Sequence, residues 1–211
     1  MGREFVELFD HWAESYDETV AGKDLEYQEV FMNYEQILYK VADLVHGNVV
    51  EFGTGTGNLT QMLLEKGCSV VGVEPSAAMR KIASKKMPHL TILDGDFLSF
   101  QLNGPIDAFV STYAFHHLED SEKANAISKY SALLTTGGKV VFADTVFRSK
   151  DKKEIFIQEA KNKHYLSLAQ DLETEYYTTI HILESMFHSN GFSVEFKQLN
   201  RYVWLIDAEK L

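Results

Sequence analysis

Glu51-Phe52-Gly53-Thr54-Gly55-Thr56-Gly57-Asn58-Leu59 is the stretch whose reading decides the fold. It continues a β-branched run, Val49-Val50-Glu51-Phe52, and opens a segment of helical periodicity from Leu59 to Glu65. Glycines at alternate positions let the backbone turn sharply and approach a ligand closely, because no Cβ intervenes. A helix starting there points unpaired N–H groups and its positive dipole end at whatever the loop holds. A dinucleotide fingerprint would place glycine or alanine at position 58. Asn58 stands there instead, and the third glycine falls at Gly57. The pattern is E-x-G-x-G-x-G.

Outward from this loop, short apolar runs alternate with helical stretches. The runs are Ser69–Val73, Leu90–Leu93, Ala108–Ser111 and Lys139–Ala143, and the helices between them read as Ser76–Lys85 and Glu122–Leu134. Repeated β-α-β order with apolar strands predicts an α/β fold, a parallel sheet covered by helices on both faces. Three more segments close strands as the glycine loop closes the first. Glu74 ends the second strand, where a carboxylate can accept both vicinal hydroxyls of a ribose. Asp94-Gly95-Asp96-Phe97 follows the third, with an acidic oxygen for an amino group and a flat apolar face. Ser111-Thr112-Tyr113-Ala114-Phe115-His116-His117 follows the fourth. All lie at carboxyl ends of strands, where ligands of open α/β sheets bind.

The flanks differ from this core. Residues 1–46 read as a helical N-terminal extension, with Phe5, Leu8, Phe9 and Trp12, then Val30, Phe31, Tyr34, Ile37, Leu38, Val41, Leu44 and Val45 at helical spacing. The polar stretch Ser15 to Asp24 separates the two sets, and Trp12 reads as core. Residues 47–147 form the ligand-binding core, and 148–190 a helical insertion and last helix. Residues 191–211 form a terminal hairpin of Phe192–Phe196 and Tyr202–Ile206, so one strand runs against the sheet. The whole is expected to be one domain. The Lys-rich segment 148–170 reads as a solvated helix, with cover over an active site as the alternative. His181 and His188 share a solvated face, and Lys81, Lys85 and Lys86 an outer one. Tyr176, Tyr177, Phe156 and Tyr165 read as core aromatics, with the lining of an acceptor pocket as the alternative.

The 211 residues carry 20 Lys and Arg against 31 Asp and Glu, a formal charge of −11. An acidic chain repels phosphate backbones, so nucleic acid is not the expected partner. At 45% hydrophobic residues with 3 prolines the composition is globular. The single Cys68 forms no internal disulfide, which fits a reducing compartment. No apolar run approaches the roughly 20 residues of a membrane span. The charged opening Met1-Gly2-Arg3-Glu4-Phe5 has no signal-peptide core. A cytoplasmic protein is expected.

Taken together these motifs resemble the class I S-adenosylmethionine-dependent methyltransferases over most of the chain. The nearer resemblance is to the YrrT-like methyltransferases of low-GC Gram-positive bacteria. It is carried by Met1–Phe5, Trp12-Ala13-Glu14-Ser15-Tyr16-Asp17, the Ser111–His117 run and Phe142-Ala143-Asp144-Thr145-Val146-Phe147. The resemblance implies a Rossmann-like, doubly wound, mostly parallel seven-stranded sheet in the order 3-2-1-4-5-7-6 with an antiparallel last strand. It implies S-adenosyl-L-methionine as cofactor, with Glu51, Gly53, Thr54, Gly55 and Gly57 under its methionyl part. Glu74, followed by Pro75, takes the ribose hydroxyls, Asp96 and Phe97 frame the adenine, Ser111 and Thr112 flank the methionine moiety, and Tyr16 closes over the cofactor.

Methyl transfer from a sulfonium is an in-line displacement, promoted mainly by alignment and exclusion of water. A base is needed only where the acceptor loses a proton, and His116, His117 and Tyr113 are the catalytic candidates, with Asp144 behind them. A metal is not expected. Neighbouring helical side chains point about 100° apart, and no cysteine or acid stands at ligand spacing beside the histidines. The Asn-Pro-Pro-Tyr tetrapeptide of many amide and exocyclic-amine methyltransferases is replaced by Ser111-Thr112-Tyr113-Ala114. With the negative charge, this points to a small-molecule acceptor. Two alternatives stand beside this reading: an NAD-dependent oxidoreductase, and a non-catalytic module that binds S-adenosylmethionine or S-adenosylhomocysteine.

Overall fold

The apolar, β-branched runs become strands because their side chains pack on a pleated surface buried from both sides. In the structure, a computed structural model, β1 spans Asn48–Phe52, β2 Ser69–Val73, β3 Thr91–Leu93, β4 Ala108–Thr112, β5 Lys139–Thr145, β6 Phe192–Gln198 and β7 Val203–Lys210. They join in the order β3-β2-β1-β4-β5-β7-β6. The first five pair in parallel, and β7 runs antiparallel to both β5 and β6, as the hairpin spacing predicts. Residues 5–102 and 104–211 are described. Met1–Glu4, which carry part of the sequence resemblance, and the Leu8 side chain lie outside them.

Nine α-helices are described: α1 Val6–Trp12, α2 Tyr16–Glu18, α3 Tyr34–Asp43, α4 Asn58–Glu65, α5 Ala77–Lys86, α6 Asp120–Leu133, α7 Lys150–Asn162, α8 Leu166–Thr174 and α9 Ile180–Ser189. Alternate strand residues divide the core. Val49, Val110, Val141 and Leu205 meet α3, α4, α7 and α8 on one face. Phe52, Phe109, Phe142 and Ile206 meet α6 and α9 on the other. None of these helices is long and apolar enough to cross a membrane.

Two expectations about the flanks need correction. Val30 and Phe31 precede α3 instead of belonging to it, because Asn33 adopts a left-handed conformation (φ 64°) that starts the helix afresh. The segment 148–170 is not one helix but α7 and the start of α8, broken at His164 (φ 60°). The apolar side of these helices, with Ile157, Ala160 and Leu168 buried, packs on the sheet.

Phe52 lies level with Val73 on one side and Ser111 on the other, so β1, β2 and β4 end together at one edge. The chain leaves β1 toward β2 and returns from β3 to β4 on the far side of β1. That reversal opens the crevice where open α/β sheets bind ligands.

Candidate active site

The glycine loop turns at this crevice. Gly55 has φ 56°, and a Cβ there would find no atom nearer than 3.8 Å, so the space above it is open. Gly57 (φ 91°) does a different job. It caps α4 and lies against Met87 and Ala83, at the packing of α4 on α5 and away from the main cavity. Gly53 does line the cavity, whereas the Thr54 side chain turns back toward the Glu51 carbonyl, 3.4 Å away.

Glu74 is buried at the cavity wall and is the loop's fixed point. Gly55 N–H donates to its Oε2 and Ser76 N–H to its Oε1, both at 2.8 Å. A carboxylate has about four acceptor positions, and these two bonds occupy half of them. Burial pushes its pKa up. Beyond it lie Pro75, Asp96 and Phe97. Asp96 Oδ1 holds the Leu98 and Ser99 amides at 2.9 and 2.8 Å, and Tyr130 Oη donates to the Phe97 carbonyl, so both side chains are set from behind.

At the end of β4 the residue at the cavity is Thr112, not Ser111. Ser111 is 1% exposed and donates its hydroxyl to the Phe52 carbonyl at 2.9 Å, tying β4 to β1. Strand alternation turns neighbours to opposite faces, which explains the exchange. Tyr113 follows in a left-handed conformation (φ 55°), rare for a bulky residue and costly unless the surroundings hold it. Its ring lies on Phe31 and Tyr34, and its hydroxyl has no partner among the described residues.

Val6, Phe9 and Tyr16 roof the cavity. The roof is latched at two places that sequence reading missed. Asp10 accepts from Ser76 Oγ at 2.5 Å and the Ala78 amide at 3.3 Å, at the start of α5. Asp17 accepts from Thr56 Oγ1 at 2.6 Å, Asn58 Nδ2 at 3.1 Å and Lys86 Nζ at 2.7 Å. Lys86 therefore does more than solvate an outer face. Asn58, the residue that breaks the dinucleotide fingerprint, is one of the latch donors. Glu51 lies under the same loop in an adjoining cleft with Tyr16, Tyr34 and Thr112. It accepts from Thr60 Oγ1, and burial pushes its carboxyl up to about 8, against the Thr60 bond and helped by repulsion from Glu74.

The histidines separate in role. They sit in a tight turn, Phe115–His117, that follows β4. His117 lines the cavity beside Phe5 and Phe9, and neither ring nitrogen has a hydrogen-bond partner among the described residues. His116 turns away from the cavity. Its Nδ1 is 2.6 Å from Asp144 Oδ1 and its Nε2 3.1 Å from Glu175 Oε2. Burial alone would push His116 down, but the two carboxylates outweigh it and hold the ring up at about 10. Burial and the charge of His116 push His117 down to about 3. The premise that no acid stands beside the pair is thus overturned by Glu175, from the segment after α8. Of the aromatics, Tyr177 stacks on His116 at 4.8 Å, and Phe156 packs on Phe147 and Tyr202. Trp12 and Tyr165 pack against the core, and His181 and His188 are exposed.

Residues 49–138 match the family described as a methyltransferase domain. Over all 211 residues the chain is 55% identical to a protein of Anoxybacillus flavithermus and 54% identical to one of Bacillus mycoides, each named an uncharacterized methyltransferase, with 100% of both chains covered. The fold is shared with solved structures at low identity. Magnesium protoporphyrin IX methyltransferase of Synechocystis PCC 6803 with bound S-adenosylhomocysteine (SAH) superposes with a TM-score of 0.74 at 16% identity, over 100% of this chain and 99% of that one. Human N-acetylserotonin methyltransferase in complex with S-adenosylmethionine (SAM) gives 0.67 at 18%, over 100% and 62%. With relatives this similar along its entire length, and with the sheet order and glycine loop in place, the chain belongs to the class I S-adenosylmethionine-dependent methyltransferases.

Proposed function

We propose that this methyltransferase passes the methyl group of S-adenosylmethionine to a small-molecule acceptor in the cavity between the glycine loop, Thr112 and α1. Membership of the family sets the oxidoreductase alternative aside. The observation that carries the cofactor assignment is Glu74, a buried carboxylate at the cavity wall with half its acceptor positions turned away from the loop amides. Two vicinal hydroxyls match what remains. The open space above Gly55 fits a ligand lying close over the backbone, and a side chain there would fill it. Asp96 and Phe97 flank the adenine, Glu51 and Gly53 underlie the methionyl end, and Tyr16 covers it, with Pro75 completing the wall. Ser111, Thr54 and Gly57 support this site from behind.

Bound there, the cofactor supplies an electrophilic methyl carbon on a sulfonium with a good leaving group. The chain's work is to align and to exclude water. Val6, Phe9 and Tyr16 do the second, held down by Asp10 and Asp17. Tyr113 and His117 are the polar residues offered to the acceptor, since both line the cavity and their buried hydroxyl and ring nitrogens have no partner among the described residues. His116, fixed by Asp144 and Glu175, positions His117. A small acceptor is supported by the formal charge of −11, which disfavours a nucleic-acid partner. Structural neighbours named for magnesium protoporphyrin IX and N-acetylserotonin point the same way. We place the reaction in the cytoplasm, in a chain acting as one domain.

The test uses methyl-labelled S-adenosylmethionine with bacterial extract separated by size. Label should enter the low-mass fraction with the wild type and not with Gly55→Val. Label confined to protein or nucleic acid would overturn the acceptor class, and no transfer to any fraction would favour the regulatory-module alternative.

A further inference from the structure

The buried group behind the cavity brings together more donors than alignment requires. Ligand atoms of His116, His117 and Glu175 all lie within 4.8 Å of one another. His116 Nε2 is 3.1 Å and His117 Nδ1 3.9 Å from the two Glu175 oxygens. Donors bound at about 2.0–2.2 Å around a tetrahedral zinc ion are themselves roughly 3.3 Å apart, so this set is somewhat wider than a bound one and would close on the ion. The side chains behind it are arranged as metal sites arrange theirs. Asp144 faces His116 Nδ1 and is held by the His116 and Thr145 amides at 3.0 and 2.6 Å. A carboxylate there accepts the hydrogen bond from Nδ1–H, which fixes the tautomer that leaves the Nε2 lone pair to coordinate. Tyr177 Oη steadies Glu175 by donating to it at 2.6 Å.

A second, independent observation is His117 itself. It is 7% exposed, and neither ring nitrogen has a partner among the described residues, an expensive way to bury an imidazole. Asp144 and Glu175 bring two carboxylates into this buried group, and a divalent ion is a counter-charge that suits such a pair. The neighbouring cation, Lys123, is already engaged by Asp120 at 3.6 Å and by the carbonyls of Leu118 and Tyr176.

We infer that His116 Nε2, a ring nitrogen of His117 and the Glu175 carboxylate bind a divalent transition-metal ion of the zinc type, with Asp144 as the outer carboxylate orienting His116. Two imidazoles and a carboxylate suit that class over magnesium or calcium. Three protein ligands leave a coordination position open. His117 lines the cavity, so the open position serves the acceptor, whose oxygen or nitrogen it would polarise. That role rests on the methyltransferase reading; binding of the ion does not.

The experiment is calorimetric titration of chelator-treated full-length protein with zinc alone. Wild type should show one tight site per chain. His117→Ala and Glu175→Gln should each weaken it by at least about 100-fold, and Asp144→Asn by roughly 10–100-fold. Cobalt in the wild type should give the strong visible bands of a four- or five-coordinate ion. Absence of a tight site, or equal affinity in wild type and both ligand variants, overturns the inference. So do cobalt bands of the weak six-coordinate kind, and this readout stands even if the variants fail to fold. S-adenosylhomocysteine titrated in parallel separates the two claims, because a failure of cofactor binding leaves the zinc result intact.

Discussion

Glu51→Gln replaces a carboxyl that is 1% exposed, accepts from Thr60 and faces the like charge of Glu74. Its pKa rises from an ordinary 4.5 to about 8, chiefly through burial. At about 1.36 kcal/mol per tenfold, that difference is worth about 4–5 kcal/mol. Between those two pH values the folded state keeps a proton that the unfolded chain has lost. Unfolded protein therefore binds fewer protons, and stability falls as pH rises. The contribution is fully present below about 4.5 and is lost as pH passes about 8. Glutamine cannot ionise, and its carbonyl oxygen still accepts from Thr60. Urea unfolding of the cofactor-free proteins across this window gives the two stability curves. The wild-type advantage over Gln should shrink by about 3–5 kcal/mol from pH 5 to pH 9, most other titrations cancelling in the difference. Curves parallel to within about 0.5 kcal/mol would refute the argument and place a compensating cation or water beside Glu51.

Glu74→Ala should weaken S-adenosylhomocysteine binding by about 1–3 kcal/mol, the loss of charge-assisted hydrogen bonds, read by calorimetry. Gly55→Val should do worse, because its Cβ enters the open space above the loop at a φ that strains β-branched residues; thermal unfolding checks that the fold survives. Ser111→Ala should leave cofactor affinity unchanged while costing about 1 kcal/mol of stability, since its hydroxyl serves the Phe52 carbonyl. Asp17→Ala should release the latch to Thr56, Asn58 and Lys86. Proteolysis within 15–24 would then accelerate several-fold, with faster cofactor dissociation.

Much of the fold is legible because parallel strands buried on both faces need continuous apolar runs, and those of β1, β2, β4 and β5 end within a few residues of where their composition changes. The reversal at β7 is legible for a similar local reason, a short connection between two β-branched runs. Where local rules fail, the cause is specific. Asn33 and His164 take left-handed conformations without glycine, so helical periodicity runs through breaks it cannot register. Ser111 and Thr112 are chemically alike, and only the strand register decides which meets the cavity. Asp17 and Lys86 meet across 69 residues, and Glu175 reaches His116 from 59 residues away, separations at which spacing carries no information.

The most direct measurement is calorimetric titration of the purified protein with S-adenosylmethionine, S-adenosylhomocysteine and NAD. The account predicts one site per chain for the first two, at micromolar affinity or about −8 kcal/mol, and no heat from NAD. Binding of NAD alone, or of none of the three, would contradict it.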